Sequence, residues 1–307
     1  MDSGIRKLQM KDWRIEMPKM IITADWHIRS TKPRCRIDED WIETQRQALA
    51  QIVKISKEKK APVIVVGDLF HSNSDVSFEC IQMVQQMADE LGELYILAGN
   101  HDLPYHSSEN LEKSAIGVLL NSSRIFNIKT FTDSEKISAS NFDEPDDKNA
   151  EIVFKHTLVF PDAKSIPPNC DGTTAKELLE EFPNAEWIFT GDYHHNFHYE
   201  KNGRHVVNSG CLLRQASDFK DYQCGVYFVD TDRNIVEFIS IIDSEQLIDD
   251  SYILQENERE ERIDNFVQKL KDTESVSLDF LANVETALQS NELESDLKEV
   301  IEELLEV

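Results

Sequence analysis

Five polar clusters lie between Asp25 and His194: Asp25-Trp26-His27, Gly67-Asp68, Gly99-Asn100-His101-Asp102, His156, and Gly191-Asp192-Tyr193-His194. Taken singly, most are ordinary. An Asp-x-His is usually structural, a Gly-Asp after an apolar run is most often a turn, and a lone histidine is more often hydrogen-bonded than metal-bound. Gly-Asn-His-Asp is harder to dismiss, and five such clusters in succession point to one chemistry. Asp, Asn and His donors suit hard to borderline cations such as Mn²⁺, Fe²⁺ or Zn²⁺. Two such ions ~3.5–4 Å apart clamp a phosphate and supply the nucleophile for in-line attack. A carboxylate must then lie between them.

Donors scattered this widely need a scaffold that gathers them. Met20 to Ala24 reads as a short buried strand ending at Asp25. Pro62 to Val66 is a β-branched run that stops at Gly67-Asp68, and Leu94 to Ala98 stops at Gly99-Asn100. Fully apolar strands of this kind are covered on both faces. Between them, Trp41 to Lys57 has helical spacing, with Ile42, Gln45, Leu49, Ile52 and Val53 on or near one face. Val76 to Leu91 does too, with Phe78, Ile81, Val84, Met87 and Leu91 in register. The first hundred residues therefore predict β-α-β-α-β, the start of an α/β layered fold. Ligand sites in such folds lie at the carboxyl ends of strands. From Asn121 to Asn149 the pattern weakens, with a turn expected at Asp143 to Asp147. Strands are expected at Ile152 to Phe154, running to His156, at Trp187 to Thr190, and at Val206-Val207. A short helix is expected at Ala175 to Glu181. Gly225 to Val229 and Ile235 to Ile242 bracket Asp230-Thr231-Asp232-Arg233, a hairpin signal. Glycines before the donors let the backbone turn off each strand.

The chain has 307 residues, with 58 acids against 32 bases and a net charge of −26. That balance argues against nucleic acid as a partner, but the charge is uneven. Asp243 to Val307 holds 20 acids and 5 bases, a net of −15, which leaves −11 for the first 242 residues. In this last stretch three apolar stripes run through Ile263–Leu270, Leu281–Leu288 and Leu293–Leu304 at helical spacing. They fit either a helical hairpin packed on its own core or a partner-binding module. Arg29, Lys32, Arg34 and Arg36 crowd the loop after His27. They stand out from the acidic background and fit contact with a phosphate backbone, as against an ordinary solvated loop. Arg204, Arg214 and Lys220 are candidates to extend that surface, and His195 is a candidate substrate contact. Five cysteines without a CxxC pair disfavour disulfides and a zinc–thiolate site. No apolar run approaches a membrane span and the first residues lack a signal core. A cytoplasmic protein that meets no membrane is expected, in a bacterium or a phage-infected host.

The order D-x-H, G-D, G-N-H-D, H, G-x-x-H resembles the calcineurin-like metallophosphoesterase superfamily. Gly67-Asp68-Leu69-Phe70-His71 is similar to the nuclease subunit of the SbcCD type, the bacterial and phage relatives of the double-strand-break repair nuclease. The resemblance covers about Met20 to Ile242. It implies a four-layered α/β/β/α sandwich, two Mn²⁺ ions and phosphodiester hydrolysis. Asp25, His27 and His194 would hold one ion, Asn100 and His156 the other, and Asp68 would bridge them. His101 would contact the scissile phosphate, with Asp102 orienting it. The family motif is usually G-H-x-H, and here Asp192 stands where a histidine normally binds the second metal. Asp192 either replaces it, giving a harder site that favours Mn²⁺ or Mg²⁺, or points elsewhere. The resemblance further implies DNA as substrate, and an SbcC-like ATPase subunit docked on the C-terminal helices. It also implies a homodimer. The expected organisation is an N-terminal extension over residues 1–19, the nuclease domain over 20–245 and an acidic helical appendage over 246–307. Two rivals stand beside the nuclease: a phosphatase or small-molecule phosphodiesterase on the same scaffold, and a non-catalytic binding protein with a degraded site.

Overall fold

The computed structural model describes residues 18–131, 136–168, 170–219, 221–241, 248, 249 and 251. Residues 1–17 of the N-terminal extension, Lys220 and the three C-terminal stripes lie outside the described residues, while Lys19 already belongs to the first strand.

In chain order the regular elements are β1 (Lys19–Thr23), α1 (Trp41–Lys59), β2 (Val63–Val66), α2 (Phe78–Leu91), β3 (Leu94–Leu97), α3 (Ala115–Leu119), β4 (Ile125–Asn127), β5 (Ile137–Ser140) and β6 (Ile152–His156). They continue with β7 (Val159–Phe160), β8 (Thr173–Thr174), α4 (Ala175–Glu181), β9 (Trp187–Gly191), β10 (Phe197–Lys201), β11 (Arg204–Asn208), β12 (Gly225–Asp230) and β13 (Ile235–Ser240). One sheet has the order β13-β12-β1-β2-β3-β4 and a second has β10-β11-β9-β6-β5; β7 and β8 pair separately. The β1-β2-β3-β4 pairings are parallel, as are β5-β6-β9-β11. β12 closes antiparallel on β1, with Met20 opposite Val229.

Strand alternation explains the stacking. Met20, Ile22, Ile64, Val66, Tyr95 and Leu97 point from the first sheet toward Phe154, Trp187, Phe189 and Val207 of the second, forming a core between sheets. The other face of the first sheet, through Ile21, Val63, Val65, Leu94 and Ile96, packs under α1, α2 and α3. The outer face of the second sheet, through Val153, Ile188 and Val206, packs on Leu178 and Leu179 of α4. The order of layers is thus helices, sheet, sheet, helix, the expected α/β/β/α sandwich.

Local signals set the helix ends. Asp40 caps α1 by accepting from the Glu43 amide, and Lys60 ends it in a left-handed conformation. Thr174 and Glu177 form a capping box on α4. Ser77 caps α2 and makes Phe78 its first residue, so the buried stripe runs through Cys80, Met83, Val84, Met87 and Ala88. Phe78, expected on that stripe, is 90% exposed. The hairpin at Asp230 to Arg233 is present. Where the sequence pattern weakened, β4 completes one edge of the first sheet and β5 begins the second sheet, so the chain changes sheets there.

Phe189 is fully buried between the sheets, stacked on Phe154 at 5.0 Å between ring centroids. Phe189→Ala should lower the unfolding free energy by about 3–5 kcal/mol, the usual range for an aromatic truncation in a packed core. Urea denaturation should show this as a lower midpoint at an unchanged slope.

Candidate metal centre

All five clusters sit at carboxyl ends of parallel strands, three on the first sheet and two on the second. Asp25 follows β1, Asp68 follows β2, Asn100 and His101 follow β3, His156 ends β6, and Asp192 and His194 follow β9. The loops after β1 and β2 pair as a continuation of the sheet. Asp25 N–H donates to Gly67 O, His27 N–H to Asp68 O and Ile28 N–H to Leu69 O, at 3.0–3.1 Å. Asp25 (φ 51°), His27 (φ 45°) and Asp68 (φ 52°) in these loops, and Asp192 (φ 75°) after β9, are all left-handed. Such backbone costs on the order of 1 kcal/mol per residue and persists where the surroundings over-determine it.

Side chains crowd these strand ends so closely that Gly67 meets His156 of the second sheet and Gly99 meets Asp68 of its own sheet. A Cβ on Gly67, itself at φ 88°, would lie 2.0 Å from His156 Nδ1, and one on Gly99 would lie 2.2 Å from Asp68 Oδ1. The glycines therefore supply space as much as freedom to turn.

The side-chain donors converge. His27 Nε2 and His194 Nε2 are 3.0 Å apart. Asp25 Oδ1 lies 4.0 Å from His194 Nε2. Asp68 Oδ2 lies 3.7 Å from His27 Nε2 and 3.4 Å from His156 Nε2, and has no hydrogen-bond partner of its own although buried. His156 donates Nδ1–H to the Val66 carbonyl, which turns Nε2 toward Asn100 Oδ1 at 3.1 Å and toward Asp68. In a neutral ring that nitrogen is a lone pair facing two oxygens, an arrangement that a proton or a metal cation relieves. The electrostatics agree. Burial pushes the Asp25 carboxyl well up and the His27 imidazole well down. Burial alone would also lower His156, yet Asp68 beside it lifts the ring to about 10, a proton standing where a metal would otherwise sit. The donor set fits two divalent cations: one group is Asp25, His27 and His194, the other Asp68, Asn100 and His156, with the unpartnered Asp68 oxygen between them.

A family model for calcineurin-like phosphoesterases matches residues 18–223, a span that includes all five clusters. The chain belongs to this family. Among solved structures it is similar to an archaeal phosphodiesterase, 15% identical over 73% of this chain and 99% of that one, at a TM-score of 0.39. A metallophosphoesterase from Sphaerobacter thermophilus is 13% identical over 73% and 88%, at 0.35. Vacuolar protein sorting 29 from Cryptosporidium parvum is 14% identical over 73% and 96%, at 0.34. None of these likenesses bears on activity. A comparison with curated proteins gave no match.

For this calcineurin-like phosphoesterase several expected roles change. Asp102 does not orient His101. It is buried and accepts from the backbone amides of Leu69, Phe70 and Gly99, so it ties the loop after β2 to the loop after β3. His101 is held instead by His71: its Nδ1–H donates to the His71 carbonyl at 2.8 Å, leaving Nε2 directed elsewhere. Sequence reasoning quoted His71 only as part of a motif. The structure gathers its ring with His27 and His101, and Arg29 Nη1 lies 2.9 Å from its Nε2. Asp192 engages Asp25 through its backbone amide, which donates to both carboxylate oxygens at 3.1 Å, and its own carboxylate belongs to neither donor group.

The basic loop divides. Arg36 is 2% exposed, pairs with Asp38 in a fork, donates to the Arg214 carbonyl and lies over Trp41, so it locks the loop and does not face a substrate. Lys32 donates to the Asp38 carbonyl. Arg34 is exposed and Arg29 half-buried beside His71. Arg214 is buried, and Arg204 donates to the carbonyls of Ala185, Leu179 and Phe182, so neither extends a basic surface. His195 is exposed and stacks on Phe219 at 4.7 Å.

Two variants test this construction. Gly99→Ala should lower both stability and metal content, because the new methyl meets the Asp68 carboxylate and overpacking usually costs ~1–3 kcal/mol; melting curves and metal analysis read both. Asp102→Asn turns an amide donor toward backbone donors and should cost ~1–3 kcal/mol, with a lower melting midpoint in metal-free protein as well as in loaded protein.

Proposed function

We propose that this chain is a metal-dependent phosphodiesterase acting on DNA, resembling the SbcD-type nuclease subunit. The observation that carries the reading is the unpartnered Asp68 oxygen lying between His27 and His156, which suits a carboxylate shared by two ions. Mn²⁺ is the proposed metal, since the donors are carboxylate, amide and imidazole without thiolate. Two divalent ions held there supply Lewis-acid charge to a phosphoryl oxygen and lower the pKa of water. The chain's own residues do the rest. Asp68 accepts from the His101 amide at 3.0 Å, which fixes the strand-end loop carrying His101. The His101 ring, pinned at Nδ1, can present Nε2 to the scissile phosphate and hold a proton for the leaving oxygen. Arg29, next to His71, and Arg34, which is exposed, are the loop cations proposed to meet a phosphate backbone. His195 on Phe219 offers a ring for a neighbouring base. On the same reading the acidic segment from residue 246 onward docks on an SbcC-like ATPase subunit, a second copy completes a homodimer, and the protein works in the cytoplasm during recombination or repair.

A smaller phosphodiester substrate is favoured by one observation: Arg36, Arg204 and Arg214 face inward, which leaves a sparse basic rim on an acidic protein. Hydrolysis of end-labelled single- and double-stranded DNA, bis-p-nitrophenyl phosphate and p-nitrophenyl phosphate separates the readings. The nuclease reading expects cleavage of DNA and of the diester in Mn²⁺, abolished by EDTA. Diester cleavage without DNA cleavage would leave the small-molecule phosphodiesterase, and activity in EDTA would overturn both. Asp68→Ala should lose the most bound metal of any single ligand change. His101→Asn should keep metal content near normal while turnover falls by ~10²–10⁴, the scale of a positioned proton donor or charge-stabilising group.

A further inference from the structure

Away from the centre, the β10–β11 hairpin gathers a second set of metal donors. His198 and Glu200 point to the same face of β10, and His205 stands directly across from Glu200 on β11. One donor atom from each lies within 4.8 Å of the others. This is the inward face of an edge strand, where β10 overhangs the core between sheets: His205 is buried against Trp187, with ring centroids 4.1 Å apart, while His198 and Glu200 are exposed.

We infer that His198, Glu200 and His205 form a separate mononuclear site for a borderline divalent cation of the zinc class. His205 is already set as a ligand. Its Nε2–H donates to Asn234 Oδ1 at 2.8 Å, on the turn that joins β12 to β13, so its Nδ1 carries the lone pair. A ligand histidine whose other nitrogen is engaged in this way has its tautomer and ring plane fixed. His198 Nε2 lies 2.9 Å from that lone pair. Two imidazoles on a tetrahedral ion, at about 2.0–2.1 Å each, stand about 3.3–3.4 Å apart. The rings therefore need to part by only a few tenths of an ångström, which the exposed His198 can do on its own. Glu200 supplies the anionic third ligand, a two-histidine, one-carboxylate set with the fourth position open to solvent. On binding, the His198 proton now shared with His205 moves to Nδ1 of its own ring, and no group is lost. The acidic chain raises the local concentration of cations around such a site. Asn234, on the turn between β12 and β13 of the first sheet, thus holds the His205 ring in the orientation an ion on this hairpin needs.

The test uses full-length protein stripped with EDTA, loaded with Zn²⁺ and desalted. Zinc is counted by atomic emission and melting is followed with and without Zn²⁺. Wild type should hold one more zinc per chain than His198→Ala, and zinc should raise its midpoint by more. Glu200→Gln should weaken zinc binding by roughly tenfold or more, since altering even an outer partner of a ligand costs that much. Diester cleavage in saturating Mn²⁺ should be the same in all three. Equal zinc counts in wild type and His198→Ala would reduce the pair to a structural hydrogen bond and overturn the site. So would a zinc deficit accompanied by a matching loss of diester cleavage, which would assign the missing ion to the centre at Asp68.

Discussion

Two carboxylates held out of water with no lysine or arginine against them, among the described residues, are the constraint to which the rest of this structure answers. Asp25 and Asp68 are buried, and the groups facing them are imidazoles, backbone N–H groups and other carboxylates. An uncompensated charge in such surroundings costs several kcal/mol. A proton on His156, whose affinity for it Asp68 raises, offsets part of that, and divalent cations would offset more. Metal affinity and folding stability are therefore one quantity viewed from two sides.

The scaffold holds that charge by spreading the task. Three donor loops grow from one sheet and two from the other, so no single element carries the centre. Asp102 binds two of the loops through three amides, Gly67 leaves room for His156 and Gly99 for Asp68, and the buried Arg36–Asp38 pair stiffens the loop after β1. Four left-handed residues in these loops store strain that the hydrogen bonds between loops retain.

Much of this was legible in the sequence because buried parallel strands leave a strong mark. Apolar runs ending in Asp, Asn or His gave the strand ends, and the donor residues came with them. The rest was hidden for physical reasons. β5 reads Ile-Ser-Ala-Ser and β10 reads Phe-His-Tyr-Glu-Lys, edge strands whose polar residues mask the alternation. Phe78 was placed on a buried face because periodicity does not see the Ser77 cap that starts the helix there. Asp102 was assigned to His101 because neighbours in sequence invite it, while its partners come from residues more than thirty positions earlier as well as from Gly99. Arg36 looked like a substrate contact because charge alone does not tell a solvated arginine from one buried against the Trp41 ring.

The pairing of β1 with β12 carries a consequence for how the molecule is made. β1 lies in the middle of its sheet, yet the strand that covers one of its edges ends at Asp230. During synthesis every donor of the centre, the last being His194, leaves the ribosome before that strand does. A nascent chain can align β1, β2 and β3, but one edge of β1 stays open to any other strand it meets. Contacts of such long sequence separation close slowly. From the end of β3 at Leu97 to the end of β12 at Asp230 about 130 further residues must appear, at ~5–20 residues per second, and the edge stays open for that time.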